Sequence, residues 1–293
     1  VDQMVAAGHD VKAQVAPRPI GVLIGLTATA NPFLFCASYG EVAGLDLPER
    51  VVAMRDPERK RRILAEHAQL LGGLEEGIVS QIVGGFEVMF ELSDPVDYEM
   101  NRDRSLGAQA TRAGTDPASM LYDLMLESGG EQLVYIPLFN FAHGNFDDIA
   151  EMITSPNAVF GLSDAGAHCG AICDASMPTS ALTVWARDRR DGDTMPIEQI
   201  VHAQTRRTAE HIGWLDRGLV APGHVADLNL IDFDALACHP PTIVHDLPAG
   251  GRRLMQTAEG YRYTIKSGRV TVTDGEPTGE LPGGLVRGTR PQP

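Results

Sequence analysis

An apolar run, Ala158-Val159-Phe160-Gly161-Leu162, passes without a break into Ser163-Asp164-Ala165-Gly166-Ala167-His168. The run has the length of a short buried strand, and the small residues after it read as a loop. Working back toward the N-terminus, residues from about Asn145 to Thr154 predict a helix, and Gln132 to Phe139 form an apolar run that ends at Asn140. Thr115, Asp116 and Pro117 start another helix that carries Met120, Leu121, Leu124 and Met125 at helical spacing, where methionine serves as core filler. Val79–Val83 and Glu87–Phe90 read as strands. So do Val11–Val15 and Gly21–Leu26, with Pro17, Arg18 and Pro19 breaking the run between them. Between these groups lies a helix signal: Asp56 as cap, Pro57 at the first position, Ile63, Leu64, Leu70 and Leu71 among charges, and Gly72-Gly73 at the end. The basic run Lys60-Arg61-Arg62 is its solvated face. The order strand, helix, strand, helix predicts an α/β chain with a parallel sheet or barrel rather than a sandwich.

Working forward, helices are predicted at about Ser176–Arg187 and Pro196–Ile212, the second with Gly213 as C-cap. Beyond Gly218 the texture changes. Ala226–Ile231, Tyr261–Ile265 and Arg269–Val272 alternate apolar and polar residues, with turn signals at Ser267-Gly268 and Asp274-Gly275. The chain therefore divides into a barrel-like part, 1–218, and a β-rich module, 219–293.

Composition bounds the function. With 24 Lys+Arg against 39 Asp+Glu the formal net charge is −15, which repels phosphate and argues against nucleic-acid and anionic-membrane partners. The hydrophobic fraction of 43% supplies a core. Cys36, Cys169, Cys173 and Cys238 are too scattered for a disulfide framework, so a reducing, cytoplasmic setting is expected. No apolar run approaches the ~18 residues of a membrane span. The sequence opens at Val1 inside what reads as a helix end, VDQMVAAGHD, and is expected to be the C-terminal part of a longer protein.

Asp164 stands where a strand ends. In a barrel such side chains point into the reaction site, which suits a metal ligand or a base for a metal-bound water; the alternative is that Asp164 caps the next helix or holds the turn. His168, Cys169 and Cys173 suggest a soft-metal cluster, yet a closed zinc site takes four ligands at recurring spacings, so the cysteines read as structural and His168 as the group facing substrate. His143, at the end of FNFAHG, is a second candidate for lining the site. His202, His211, His224, His239 and His245 read as structural. No H-x-H, H-E-x-x-H, C-x-x-C, G-x-S-x-G or P-loop pattern occurs.

Three stretches together resemble the C-terminal half of the metal-dependent amidohydrolase superfamily, in its D-aminoacylase (N-acyl-D-amino-acid deacylase) branch. Gly161-Leu162-Ser163-Asp164 resembles the eighth barrel strand with its Asp. TRRTAEHIGWLDRGLVAPGHVADLNLID, Thr205 to Asp232, resembles the stretch in which a helix packs on the barrel and the chain returns to a β-sandwich. GRVTVTDGEPTGELPGGLVRG resembles the branch's closing sequence. Pro17-Arg18-Pro19, Leu47-Pro48-Glu49-Arg50 and Arg55-Asp56-Pro57 are also similar to family segments.

The resemblance implies a partial (β/α)8 barrel of the TIM type with a small C-terminal β-sandwich module that hydrolyses a carbon–nitrogen bond of a small-molecule amide. It implies one or two divalent ions, usually zinc, which activate a water. It also gives Asp164 the role of metal-side proton shuttle, passing a proton from that water to the leaving amine. The other ligands, beginning with an H-x-H pair, match nothing here and are expected upstream. Branch members carry a His-Pro-Arg type segment near the substrate carboxylate, whereas this sequence has Cys173-Asp174-Ala175-Ser176-Met177-Pro178. Arg18 or Arg187 could supply the cation instead, a salt bridge being the plainer reading of each. A cyclic-amide hydrolase of the hydantoinase or dihydroorotase kind, and a non-catalytic binding or structural piece, are the alternatives. An incomplete barrel would expose sheet edges, so a homo-oligomer is expected.

Overall fold

Pro17 and Pro19 have no amide hydrogen for a ladder, and between them the chain leaves one sheet and enters another. The computed structural model describes residues 1–161 and 166–287. Before the tail, its strands are β1 (Ala13–Val15), β2 (Ile20–Ile24), β3 (Phe90–Glu91), β4 (Val134–Phe139) and β5 (Ala158–Phe160). β1 pairs in parallel with β5, Val15 opposite Phe160. β2 and β3 both pair antiparallel with β4, giving the order β2-β4-β3. The architecture is mixed α/β. Among the described residues the parallel pairing is confined to β1 and β5, and the strands do not close into a barrel. The alternation of elements reveals what each element is. Strand direction depends instead on where a connection re-enters, and β4 returns beside β2 in reverse after a long helical excursion.

That excursion follows its capping signals. The Asp56 carboxylate accepts from the Arg59 amide at 2.8 Å and Pro57 opens the helix Pro57–Leu71, which ends at Gly72. Asp116 does the same for Ser119 at the start of Pro117–Leu124. Such caps satisfy amides the helix cannot, and each stabilises by about 1 kcal/mol. The expected strand Val79–Val83 is instead part of the helix Ile78–Gly84. It buries only Val83 and leaves Ile78 and Val79 half exposed, so its apolar run is amphipathic at helical rather than strand period. Of Glu87–Phe90 only Phe90 is in a strand; a single 3₁₀ turn, Phe86–Val88, precedes it.

β4 explains how the molecule is layered. Successive strand side chains point to opposite faces. Val134 and Ile136 join a core with Phe33, Met54, Ile63 and Leu121 under the helices, while Tyr135 joins a second core with Ile149, Trp185 and Leu236. The antiparallel sheet is thus the wall between two cores.

After β5 the helix Met177–Thr183 runs into one π turn, Val184–Asp188, and the expected helix Pro196–Ile212 breaks at Thr205 into Ile197–Gln204 and Arg206–His211. The tail is β6 (Leu228–Ile231), β7 (Ala237–Cys238), β8 (Thr242–Leu247), β9 (Gly251–Met255), β10 (Ala258–Glu259), β11 (Tyr261–Lys266), β12 (Arg269–Thr273) and β13 (Glu276–Pro277). Its main sheet is antiparallel, in the order β13-β12-β11-β6. Ser267-Gly268 and Asp274-Gly275 turn with positive φ at both residues, as tight hairpins require. Among the described residues no helix is long and apolar enough to cross a membrane.

Candidate active site

Because β1 and β5 are parallel, their C-terminal ends emerge side by side. The Gly161 amide donates to the Val15 carbonyl at 2.8 Å, which closes the pair just before the chain departs. Asp164, the sharpest candidate in the sequence, lies outside the described residues. The chain continues from Gly166 through a tight turn at His168, whose φ is 49° and whose carbonyl accepts from the amides of Ala171 and Ile172. His168 is exposed there.

The next residues are clamped from two sides. On one side the Leu23 amide of β2 donates to the Ala171 carbonyl at 2.7 Å, and the Gly21 amide donates to Asp174 Oδ2 at 3.4 Å. On the other, the Leu254 amide of β9 donates to the Cys169 carbonyl at 2.7 Å. Gly21 is required at its place, since a Cβ would stand 2.5 Å from the Ile136 carbonyl oxygen and 2.6 Å from the Tyr135 ring. A cavity of about 350 Å³ lies between this loop and β9, lined by Cys169, Cys173, Asp174, Ser176, Thr179 and Arg253, among others.

Arg18 leaves the end of β1 and is buried, with 1% of its surface exposed. Its Nη2 lies 3.1 Å from Asp174 Oδ1 and donates to Ser176 Oγ at 3.1 Å, and its guanidinium stacks 3.6 Å from the centre of the Tyr98 ring. Nε and Nη1 are buried and make no hydrogen bond. Burial opposes the charge, while Tyr98 and Asp174 outweigh it and hold the Arg18 pKa above the ordinary arginine value. The packing is fixed around it: the Tyr135 hydroxyl donates to the Pro19 carbonyl at 2.7 Å, and Trp185 Nε1 donates to the Pro17 carbonyl at 2.6 Å.

The other candidates are placed apart. The His143 side chain is 71% exposed, and its Nδ1 lies 2.8 Å from Asp148 at the start of the helix Asp147–Thr154. Arg187 is committed to Asp188 and to the carbonyls of Phe233 and Leu236. Burial pushes the Cys173 thiol up to about 11, with Asp174 adding to it, so it stays a neutral thiol and a poor ligand. Among the described residues no three His, Cys, Asp or Glu side chains come together to hold a metal ion. Asp174, Tyr98 and Tyr135 were not candidates in the sequence. The one signal was the unexpected Asp174 where the family pattern has a basic segment; the tyrosines are brought in from distant strands and loops by folding.

Residues 99–272, more than half of the chain, match the amidohydrolase family. The chain belongs to that family. The match spans β4, β5, Asp164 and the clamped loop, and it leaves out Arg18 and most of the helical excursion. This amidohydrolase is similar to a crystal structure of D-aminoacylase described as defining a novel subset of amidohydrolases, at 18% identity over 66% of this chain and 36% of that one, with a TM-score of 0.35. It is similar also to a D-aminoacylase mutant in complex with CuCl2, at 16% identity over 68% and 37% of the two chains and a TM-score of 0.36. A third D-aminoacylase, from work on the role of its binuclear metal centre, matches at 17% identity over 66% and 36%, with a TM-score of 0.35. The chain spans little more than a third of the length of these proteins. No curated protein matches it.

Proposed function

We propose that this amidohydrolase sequence is part of a hydrolase that cleaves a carbon–nitrogen amide bond, of the N-acyl-D-amino-acid deacylase kind, on a barrel to which these residues contribute. The observation that carries the reading is the family match over 99–272, which spans the strand-end Asp164 and the loop after it. Zinc enters this reading only through the resemblance. The described residues do not assemble a metal site of their own, and in this reading the ligands that the resemblance implies come from sequence outside these 293 residues.

In this reading the Asp164 carboxylate accepts a proton from water as the new carbon–oxygen bond forms. It then gives that proton to the amine nitrogen as the carbon–nitrogen bond breaks. His168, exposed on the turn that follows, lines the substrate path. Arg18 is buried against Asp174 and Ser176, so in this reading it holds the loop that carries them and does not touch substrate itself. His143, already engaged by Asp148, would lie at the rim.

The test compares hydrolysis of N-acyl-D-amino acids with that of hydantoins and dihydroorotate by the complete protein and by its Asp164→Asn variant. The reading expects N-acyl-D-amino acids to be turned over and Asp164→Asn to lower kcat by about 10²–10⁴ with an unchanged melting curve. Cleavage of the cyclic amides alone, or full activity in the variant, would remove it.

A further inference from the structure

β9 divides two cavities. Arg253 lines the 350 Å³ cavity beside the clamped loop, and its neighbour Arg252 lines a larger one of about 600 Å³, because successive strand side chains face opposite ways. The larger cavity lies between the end of β2, the start of the helix Leu47–Met54 and the hairpin β8–β9. Its volume falls within the roughly 300–1,000 Å³ of small-molecule sites.

The walls combine apolar surface with charges of both signs. Leu26, Leu45, Leu47, Leu133, Pro241 and Ile243 supply the apolar part. Arg50 and Arg252 bring two guanidinium groups, and Asp46 and Glu131 bring two carboxylates. Backbone carbonyls hold the cations: Arg50 donates to Leu26 at 2.9 Å and Leu45 at 3.0 Å, and Arg252 donates to Thr27 at 3.2 Å. Arg50 Nε is buried and makes no hydrogen bond. The ion pairs found among the described residues include none of these four side chains. Both signs of charge thus line one cavity, with His245 beside them, and no ion pair joins them; the arginines are held by carbonyls, while the two carboxylates are exposed.

A purely anionic ligand would meet the two carboxylates, and a purely cationic one the two arginines. A ligand that carries both charges meets neither penalty. We propose that this cavity binds a zwitterionic aminocarboxylate of about dipeptide size with apolar side chains. Its carboxylate lies toward Arg50 and Arg252, its ammonium toward Asp46 and Glu131, and its side chains against the leucine walls. One free amino acid would leave much of the space unfilled. No residue lines both this cavity and the one beside the clamped loop, and the proposal does not rest on the amide-hydrolase reading.

The test is calorimetric titration of the protein with leucyl-leucine, N-acetyl-leucyl-leucine, leucyl-leucine amide and decanoate. Saturable binding of leucyl-leucine is expected, with each blocked peptide at least about tenfold weaker. Arg252→Gln should weaken leucyl-leucine about tenfold without moving the melting temperature, since that side chain is exposed and makes one hydrogen bond. The proposal is overturned by absent binding at millimolar peptide, by decanoate or the acetylated peptide binding as tightly as leucyl-leucine, or by an unaltered Arg252→Gln.

Discussion

Two buried polar side chains, Arg18 at the end of β1 and His67 under the helical excursion, show opposite solutions to one problem. Removing a polar group from water costs several kcal/mol unless something in the interior replaces the water. Arg18 keeps its charge, because Asp174 stands 3.1 Å away and Tyr98 covers its face. His67 gives its charge up. Burial lowers its pKa; its Nε2 meets the Val83 carbonyl at 2.7 Å, and its ring packs against Phe33 and Phe86. The first solution keeps an ionised group beside the candidate site. The second uses an imidazole as a packing element that ties the helix Pro57–Leu71 to the helix Ile78–Gly84.

The largest effect expected from this contrast is at Arg18. Arg18→Ala takes the counter-charge from the buried Asp174 and should cost about 3–5 kcal/mol, whereas replacing both members of the pair, Arg18→Met with Asp174→Leu, should cost less. Urea titration of the three proteins checks the order. A double variant as unstable as the single would show that the pair is not what holds this region.

A smaller effect is expected at His67, and it depends on pH. Its folded pKa lies below the unfolded one, so below about pH 6.5 the unfolded chain binds the extra proton and stability falls as pH falls. His67→Phe leaves the Val83 carbonyl without its donor and should cost about 1–3 kcal/mol at pH 7.5. It should also flatten this part of the pH dependence. Melting curves at pH 7.5 and 5.5 decide; an equal drop in both proteins would mean that His67 is not the group that responds.

The smallest effect is at the surface. Asp56→Ala removes the cap that accepts from the Arg59 amide and should cost about 1 kcal/mol, whatever the state of the two buried groups. Additivity with Arg18→Ala, measured in the double variant, is the expected result, and coupling between them would break the picture of two separately packed cores.

The sequence by itself determined the local events. The caps at Asp56 and Asp116, the tail hairpins at Ser267-Gly268 and Asp274-Gly275, and the strand before Asp164 rest on chemistry that acts within a few residues. The family was legible for the same reason, because Gly161–Asp164 and Thr205–Asp232 are contiguous stretches. What only the tertiary structure decided is pairing at a distance. The antiparallel course of β4 beside β2, the meeting of Arg18 with Asp174 across more than 150 residues, and the cavity shared by Arg50 and Arg252 all depend on it. A side chain's type fixes what it can bond. Which partner it meets depends on strand direction and on which face of an element turns inward, and local sequence carries little of either.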